Sequence, residues 1–172
     1  FFTNTQGQYT IYTGETGTYT LLPNLENPSY FTVSPSPADV IIPIIDNSTS
    51  ILDLCVTADG IHPDLEVVIA PIIPARPGFE ATYQLVYRNK GNQTLSGEVL
   101  FAFDDTVLDF ISSSTSPDTQ TTGLLGYNFS DLLPFQNESV DIILSVNSPS
   151  DAPPVNIDDV LSFVGTVNPI AG

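Results

Sequence analysis

The chain contains few residues that could carry out chemistry. It has one cysteine, Cys55, and one histidine, His62, and both lie in a short stretch between strand-like segments. Nucleophilic catalysis needs a nucleophile with a base in reach, and a closed zinc site needs several sulfur or nitrogen ligands. The sequence therefore predicts no catalytic residue and no zinc site. We expect Cys55 to be a buried, inert thiol and His62 to be structural or simply exposed.

Acidic side chains are the only candidate metal ligands. They fall in two groups, one at the join between two predicted units and one where a strand is predicted to end, and calcium takes carboxylate and carbonyl oxygens from such loops. The candidate ligands are Asp59 and Asp64 in one group and Asp104, Asp105 and Asp109 in the other. Calcium is the only cofactor that the sequence suggests, and the spacing of these aspartates is not that of an EF-hand loop. The alternative for Asp104 is a turn residue that caps its own loop.

The charge of the chain restricts its partners. Twenty acidic residues against three basic ones give a net charge of −17. Such a chain cannot displace counterions from phosphates, which argues against nucleic acid, and it is repelled by anionic membranes. The longest apolar run, Val40–Ile45, is broken by Pro43 and is too short to cross a bilayer. We therefore expect no nucleic-acid partner and no membrane insertion.

Two further sets of side chains could recognise a partner. Arg76, within Pro-Ala-Arg-Pro-Gly, is predicted to anchor its loop by hydrogen bonds to backbone carbonyls or an aspartate, in preference to binding a ligand. Exposed aromatic rings on a sheet can stack on sugars, although the chain has no tryptophan. The available tyrosines are Tyr12, Tyr30, Tyr87 and Tyr127.

The elements that position these residues are β-strands. From Phe79 to Asp104, aromatic and aliphatic residues alternate with polar ones on either side of the turn Asn89–Asn92. This alternation predicts two strands with one face on a core. The residues expected to face inward are Ala81, Tyr83, Leu85, Tyr87, Val99, Phe101 and Phe103.

The fold class predicted is all-β, an immunoglobulin-like β-sandwich preceded by a small partial β-sandwich unit. Residues 64–172 form the sandwich, because strand-length segments recur there with proline and glycine between them. Its seven predicted strands are 65–70, 79–88, 96–103, 108–112, 125–129, 139–147 and 160–167.

Residues 1–45 form the partial unit and residues 46–63 a connector. The partial unit is predicted to contain a hairpin of Gln8–Thr13 and Thr18–Leu22 joined by Gly14–Gly17. Two more short strands are expected at Tyr30–Val33 and Val40–Ile45. A sheet this small is marginal alone, so we expect the chain to be an excerpt of a longer protein.

The first unit resembles a known family. The pattern GQYTIYTGETGTYTLLP, with Gly7, Tyr9, Gly17, Tyr19 and Leu21 at the matching places, resembles the closing strands of carboxypeptidase-regulatory-like or collagen-adhesin B-type domains. The resemblance implies a stalk unit and no catalysis.

The second unit resembles another family. Ala75–Phe79, Tyr83–Asn89 ahead of Gly91, and Asp104–Asp105 ahead of Leu108–Phe110 resemble the immunoglobulin-like repeats of large secreted Bacteroidota surface proteins, which are type IX secretion substrates. The resemblance implies export to the cell surface of a Gram-negative bacterium. The implied partners are neighbouring domains of the same long chain, the secretion machinery or a surface polysaccharide.

Glycans are a further expectation. Asp105-Thr106-Val107 resembles the sequon for O-linked glycans on exported Bacteroidota proteins, which makes Thr106 the glycosylation candidate. Asn-x-Ser/Thr occurs at four asparagines and is relevant only in a host with N-glycosylation. These are Asn47, Asn92, Asn128 and Asn137.

The sequence thus predicts a noncatalytic structural or interaction module, a stalk or adhesin segment of a large exported cell-surface protein. Two alternatives stay open: a carbohydrate- or surface-binding module, and the accessory domain of a secreted hydrolase. No ligand is indicated by the sequence.

Overall fold

The computed structural model describes residues 2–4 and 6–169. The chain forms two compact units, Phe1–Thr57 and Ala58–Gly172. Nearly all regular structure is β, which confirms the predicted fold class. The segment 46–63, treated above as a connector, contains both the boundary between the units and a strand, Cys55–Ala58.

The first unit is built from two pairs of short strands and one helical turn. β1 pairs antiparallel with β3, and β2 pairs with β4. The elements are β1 (Gly17–Leu21), a 3₁₀ turn (Pro28–Tyr30), β2 (Phe31–Ser34), β3 (Ala38–Ile42) and β4 (Cys55–Ala58). Only Phe31 and Ala38 are buried hydrophobic residues in the described part of this unit, so its core is small.

The predicted hairpin at the start of the chain is wrong. Residues Gln8–Thr13 form no strand, and the second half of that hairpin pairs instead with β3, where Tyr19 lies opposite Val40. The Tyr19 hydroxyl donates to the carbonyl of Glu15 at 3.0 Å, and it also bonds the hydroxyl of Thr13 at 2.5 Å. Side-chain bonds of this kind hold residues 13–15 in a local turn that competes with strand pairing.

The second unit is a sandwich of two four-stranded sheets. One sheet has the order β5-β6-β11-β8 and the other the order β12-β7-β10-β9, and the pairings are antiparallel. The strands are β5 (Leu65–Ile73), β6 (Glu80–Asn89), β7 (Leu95–Phe103), β8 (Leu108–Ser113), β9 (Thr119–Thr121), β10 (Leu124–Leu132), β11 (Asn137–Val146) and β12 (Phe163–Pro169).

All seven predicted strands are present with shifted ends, and β9 is an additional short edge strand. In an immunoglobulin constant domain the last two strands lie side by side in one sheet. Here β11 and β12 lie in different sheets, because the long connection 147–162 carries the chain from one layer to the other.

The core is formed by the inward faces of both sheets. All the residues predicted to face inward on β6 and β7 are buried, and β10 and β11 contribute the rest of the central cluster. Phe101 and Leu85 are fully buried. The rings of Tyr83 and Phe163 stack across the layers at a centroid distance of 4.3 Å. Burial of this apolar area provides most of the free energy that holds the two layers together.

The two ends of this sandwich differ, and we name them the proximal and distal poles. Leu65, the first residue of β5, pairs with Asn89, and Pro169, the last residue of β12, pairs with Gly97. Because only residues 90–94 separate β6 from β7, the start of β5 and the end of β12 lie at the same pole. The proximal pole comprises residues 59–64, 90–94 and 133–136, and the distal pole comprises residues 74–79, 104–107, 122–123 and 147–162.

Candidate functional site

The first group of predicted calcium ligands lies at the proximal pole, where hydrogen bonds already use its carbonyl oxygens. The Asp64 carbonyl accepts from the backbone N–H groups of Lys90 at 2.9 Å and Gly91 at 3.1 Å. The Asp59 carbonyl accepts from Nδ2 of Asn92 at 3.3 Å. Each of these carbonyls helps to fix the segment 59–64 to the turn 90–94.

In the second group, Asp104 and Asp105 belong to the turn 104–107 at the distal pole, and Asp109 lies on β8. Oδ1 of Asp104 accepts from the backbone N–H of Thr106 at 3.0 Å and from its hydroxyl at 2.6 Å. Asp105 and Asp109 are exposed. Within residues 2–4 and 6–169, no three His, Cys, Asp or Glu side chains come together as a group that could hold a metal ion. Calcium binding at the five aspartates stays a prediction.

The hydrogen bonds in the turn at Asp104 lead to a testable prediction about the pKa of its carboxyl group. Hydrogen bonds from the side chain and the backbone N–H of Thr106 lower the pKa of the Asp104 carboxyl below its ordinary value of 3.8. We expect Thr106→Val, which removes the hydroxyl, to raise that pKa towards 3.8, as followed by carboxyl ¹³C NMR. Asp151, whose pKa is lowered by Ser148, serves as the internal control. An Asp104 pKa that does not move would contradict the assignment.

Thr106 also bears on glycosylation. It is exposed, but its hydroxyl donates to Asp104, so a glycan there would replace that donor bond. Of the asparagines in Asn-x-Ser/Thr, Asn92 is 6% exposed and its amide is fully engaged, whereas the other three are exposed.

The most highly organised polar group is a pair of buried asparagines at the proximal pole, which we call the asparagine hub (Asn89 and Asn92). Nδ2 of Asn89 donates to the carbonyls of Gln93 at 2.6 Å and Leu132 at 2.9 Å, and its Oδ1 accepts from the N–H of Gly91 at 2.9 Å. Asn89 therefore joins the ends of β6, β7 and β10.

Asn92 extends the hub to the segment that enters the sandwich. Its Oδ1 accepts from the backbone N–H of His62 at 2.8 Å, and its Nδ2 donates to the carbonyls of Asp59 and Gly60. The sequence placed both asparagines in a turn and Asn92 also in an Asn-x-Ser/Thr motif, but it did not indicate this network. The signal that could have identified them is an amide side chain on each side of Gly91 directly after a buried strand.

Beside the hub, three charges lie on the outer face of β5 and β6. The Glu66 carboxylate forms ion pairs with Nε of Arg88 at 3.2 Å and with Nζ of Lys90 at 3.3 Å. Two of the three basic residues in the chain thus share the single carboxylate of Glu66. As partly exposed pairs they contribute little to stability.

Arg76, the third basic residue, lies at the distal pole. The prediction that its side chain anchors the loop by hydrogen bonds is wrong within the part of the chain that the structure describes. The Arg76 guanidinium instead lies over the ring of Phe79, 5.0 Å from the ring centroid. The loop is held by the backbone, where the Arg76 carbonyl accepts from the N–H of Phe79 at 3.1 Å and Gly78 N–H donates to Val146. Because the Phe79 ring is exposed, this cation–π contact contributes only about 0.5–1 kcal/mol.

The predicted tyrosine platform is not present on the surface. Tyr87 and Tyr127 are buried in the core at 4% and 2% exposure, and Tyr30 is only partly exposed. Tyr12 is 91% exposed and belongs to the first unit. The alternation that placed Tyr87 on a strand also places it on the core face. Cys55, predicted to be buried, is exposed on β4 because that strand lies outside the small core of the first unit.

The two buried tyrosines differ in their hydroxyl groups. The Tyr87 hydroxyl donates to Oε2 of Glu138 at 2.7 Å, and burial together with this carboxylate raises the Tyr87 pKa. The Tyr127 hydroxyl has no hydrogen-bond partner in the described part of the chain. Ser113 lies close to it, but the Ser113 hydroxyl donates instead to the carbonyl of Thr115 at 2.6 Å.

This difference gives a matched pair of mutants. We expect Tyr127→Phe to leave the free energy of unfolding unchanged or raise it by about 1 kcal/mol, because it removes an unsatisfied buried group. Tyr87→Phe should lower it by about 1 kcal/mol, because it removes a satisfied one. Urea denaturation followed by circular dichroism measures both. A loss larger than about 1 kcal/mol for Tyr127→Phe would mean that its hydroxyl is bonded in the folded protein.

Comparison with known proteins assigns no family, since no protein-family model matches the sequence and no curated protein matches it significantly. The helical content of residues 2–4 and 6–169 is one 3₁₀ turn, and no helix there has the length and apolar character needed to cross a membrane.

Proposed function

We propose that this chain is a noncatalytic interaction module of a large exported cell-surface protein, in which the sandwich is attached at one pole and displays the other. The observation that carries this proposal is the position of the first and last strands: β5 begins and β12 ends at the proximal pole. In a longer protein, such a unit projects sideways from the chain, and its distal loops are left accessible.

The asparagine hub supports the attachment. Its residue Asn92 fixes the segment 59–64 to the sandwich through bonds with Asp59, Gly60 and His62. The Asp64 carbonyl adds bonds from the backbone N–H groups of Lys90 and Gly91. The segment 59–64 is therefore held against the sandwich at its proximal pole. An interaction surface gains from such rigidity, because less conformational freedom is lost on binding.

The acidic composition supports an exposed location. With a net charge of −17 and only three basic residues, the module stays soluble and repels copies of itself. Export by a type IX pathway and display on a Gram-negative cell surface belong to this proposal through the family resemblance. A stalk in series is the alternative, and it would place the two ends of the sandwich under load.

Force spectroscopy separates the two arrangements. In the full chain carrying Cys55→Ser, one variant has cysteine handles at Asp59 and Asn168, both at the proximal pole, and the other has handles at Asp59 and Asp105, at opposite poles. We expect the first variant to unfold at the lower force, because β5 and β12 then peel away with their hydrogen bonds broken one at a time. Equal or higher force for the first variant would favour the load-bearing stalk.

A further inference from the structure

The connection 147–162 covers the distal pole and is held tightly at its beginning. Nδ2 of Asn147 donates to the carbonyls of Thr106 at 3.1 Å and Pro153 at 2.9 Å. Val155 is 4% exposed and belongs to the core cluster. The first half of this connection is therefore part of the folded sandwich and provides a fixed base for the second half.

The second half of the connection exposes apolar side chains from this fixed base. Ile157 is 82% exposed and Val160 is 88% exposed, and Asp158 and Asp159 lie between them in the sequence. Asp159 is itself fixed, because its Oδ2 accepts from the N–H of Asn156 at 2.7 Å. Exposed aliphatic residues on an ordered loop are available for contact with a partner.

A cavity of about 180 Å³ lies beside these residues. Its apolar lining includes Ala75, Val146, Val155, Ile157 and Leu161. Its polar lining consists of Arg76, Asn156, Asp158 and Asp159. Cavities of about 150 Å³ hold a benzene-sized apolar group. The cavity can therefore take one apolar side chain of a partner.

An apolar groove adjoins this cavity between β5 and β12. The groove has a volume of about 390 Å³ and is lined by Ile69, Tyr83 and Phe163, and it shares Ala75 and Leu161 with the cavity. The shared residues show that the groove and the cavity adjoin each other beside the distal pole. Together they accommodate an extended chain segment.

The charges around the cavity and the groove favour a basic partner. Acidic side chains predominate in the distal loops, including Asp104, Asp105, Asp158 and Asp159, and Arg76 is the only basic residue in those loops. Arg76 also lines the cavity, where it is outnumbered by Asp158 and Asp159, and its guanidinium lies over Phe79. An acidic segment would be repelled, whereas lysine or arginine next to an apolar residue complements the surface.

We propose that the distal pole of the sandwich binds an extended polypeptide segment with apolar side chains flanked by lysine or arginine. The apolar side chains occupy the cavity and the groove, and the basic residues face Asp158, Asp159 and the neighbouring carboxylates. This proposal rests on the proposed function and specifies the partner of the displayed pole.

Peptide binding to the full chain tests the proposal. The probe is a fluorescent acetylated peptide, Lys-Lys-Leu-Val-Leu-Lys-Lys, and binding is measured by anisotropy. Two matched peptides replace the lysines by glutamates or the apolar centre by Ser-Thr-Ser. We expect only the first peptide to bind, and raising the salt from about 0.01 M to about 1 M should weaken it, because the screening length falls from about 30 Å to about 3 Å.

Variants at the two poles locate the site. Ile157→Ser should weaken binding about tenfold, and Leu133→Ser, which changes an exposed aliphatic residue at the proximal pole, should not. Asp158→Asn should weaken binding about threefold at low salt, while Asp131→Asn should leave it unchanged. Both acidic positions have positive φ, which asparagine tolerates.

Three results would overturn the proposal. They are equal binding of the lysine and glutamate peptides, equal binding of the Ser-Thr-Ser peptide, and equal weakening by the distal and proximal variants. None of these would affect the force measurement, so failure of this proposal is distinguishable from failure of the proposed function.

Discussion

Replacing Asn89 by alanine is expected to lower the free energy of unfolding of the sandwich by about 3–5 kcal/mol. The side chain is 1% exposed and makes three hydrogen bonds, to Gln93, Leu132 and Gly91. Its removal takes the amide donor away from the carbonyls of Gln93 and Leu132, whereas the Gly91 N–H keeps its bond to the Asp64 carbonyl. Each carbonyl left without a partner costs about 1–3 kcal/mol. Urea denaturation followed by circular dichroism gives the change.

Asn137→Ala is the matched control, because it removes the same amide from an exposed position at the start of β11. It should change the stability by no more than about 0.5 kcal/mol. Asn89→Asp should not restore the loss, because a carboxylate can accept from Gly91 but cannot donate to Gln93 or Leu132. A loss below about 1 kcal/mol for Asn89→Ala would show that the hub is not a major source of stability.

The second large effect is expected for Gly91→Ala, at about 3 kcal/mol of lost stability. A Cβ atom at Gly91 would clash with the carbonyl oxygen of His62 and lie 2.6 Å from the backbone nitrogen of Asp64. Both obstacles are backbone atoms, so neither can rotate away. The segment 59–64 must move, and its hydrogen bonds to the turn 90–94 are lost.

Gly126→Ala tests whether backbone contact is the reason. Its Cβ would lie 2.7 Å from Oε1 of Glu98, the end of a flexible side chain that can turn aside. We expect a loss of about 1 kcal/mol there. Amide hydrogen exchange at Asp64 and Gly91 should accelerate in the Gly91 variant and remain unchanged in the Gly126 variant. Equal stability losses in the two variants would contradict this explanation.

The sequence was sufficient to predict the layers of the sandwich. The alternation on β6 and β7 correctly identified Tyr83, Leu85 and Phe101 as core residues, because period-two burial is a local consequence of strand geometry. Strand existence was predicted well for the same reason.

Features that depend on distant residues were missed. Gln8–Thr13 has a strand-like composition, but the strand that pairs with β1 comes from residues 38–42. The role of Asn89 depends on Leu132, which is 43 positions away in the chain. Periodicity carries no information about such pairings, so the first hairpin was wrong and the asparagine hub was not anticipated.

The candidate site was the least predictable part. Asp104 was expected as either a metal ligand or a turn cap, and its bonds to Thr106 establish the turn. Tyr127 was expected on a surface platform and is buried. The cavity beside Ile157 is formed by residues from the loop 74–79, from β11 and from the connection 147–162, so no local motif could have indicated it.

The shared pole of β5 and β12 makes this sandwich suitable for protein engineering. Because its two ends are neighbours, the unit can be grafted into a surface loop of a host protein without stretching that loop. The same arrangement favours circular permutation, with a short linker from Pro169 to Asp59 and new termini opened near Ser150. The permuted chain would keep both sheets intact and present its new ends beside the exposed Ile157.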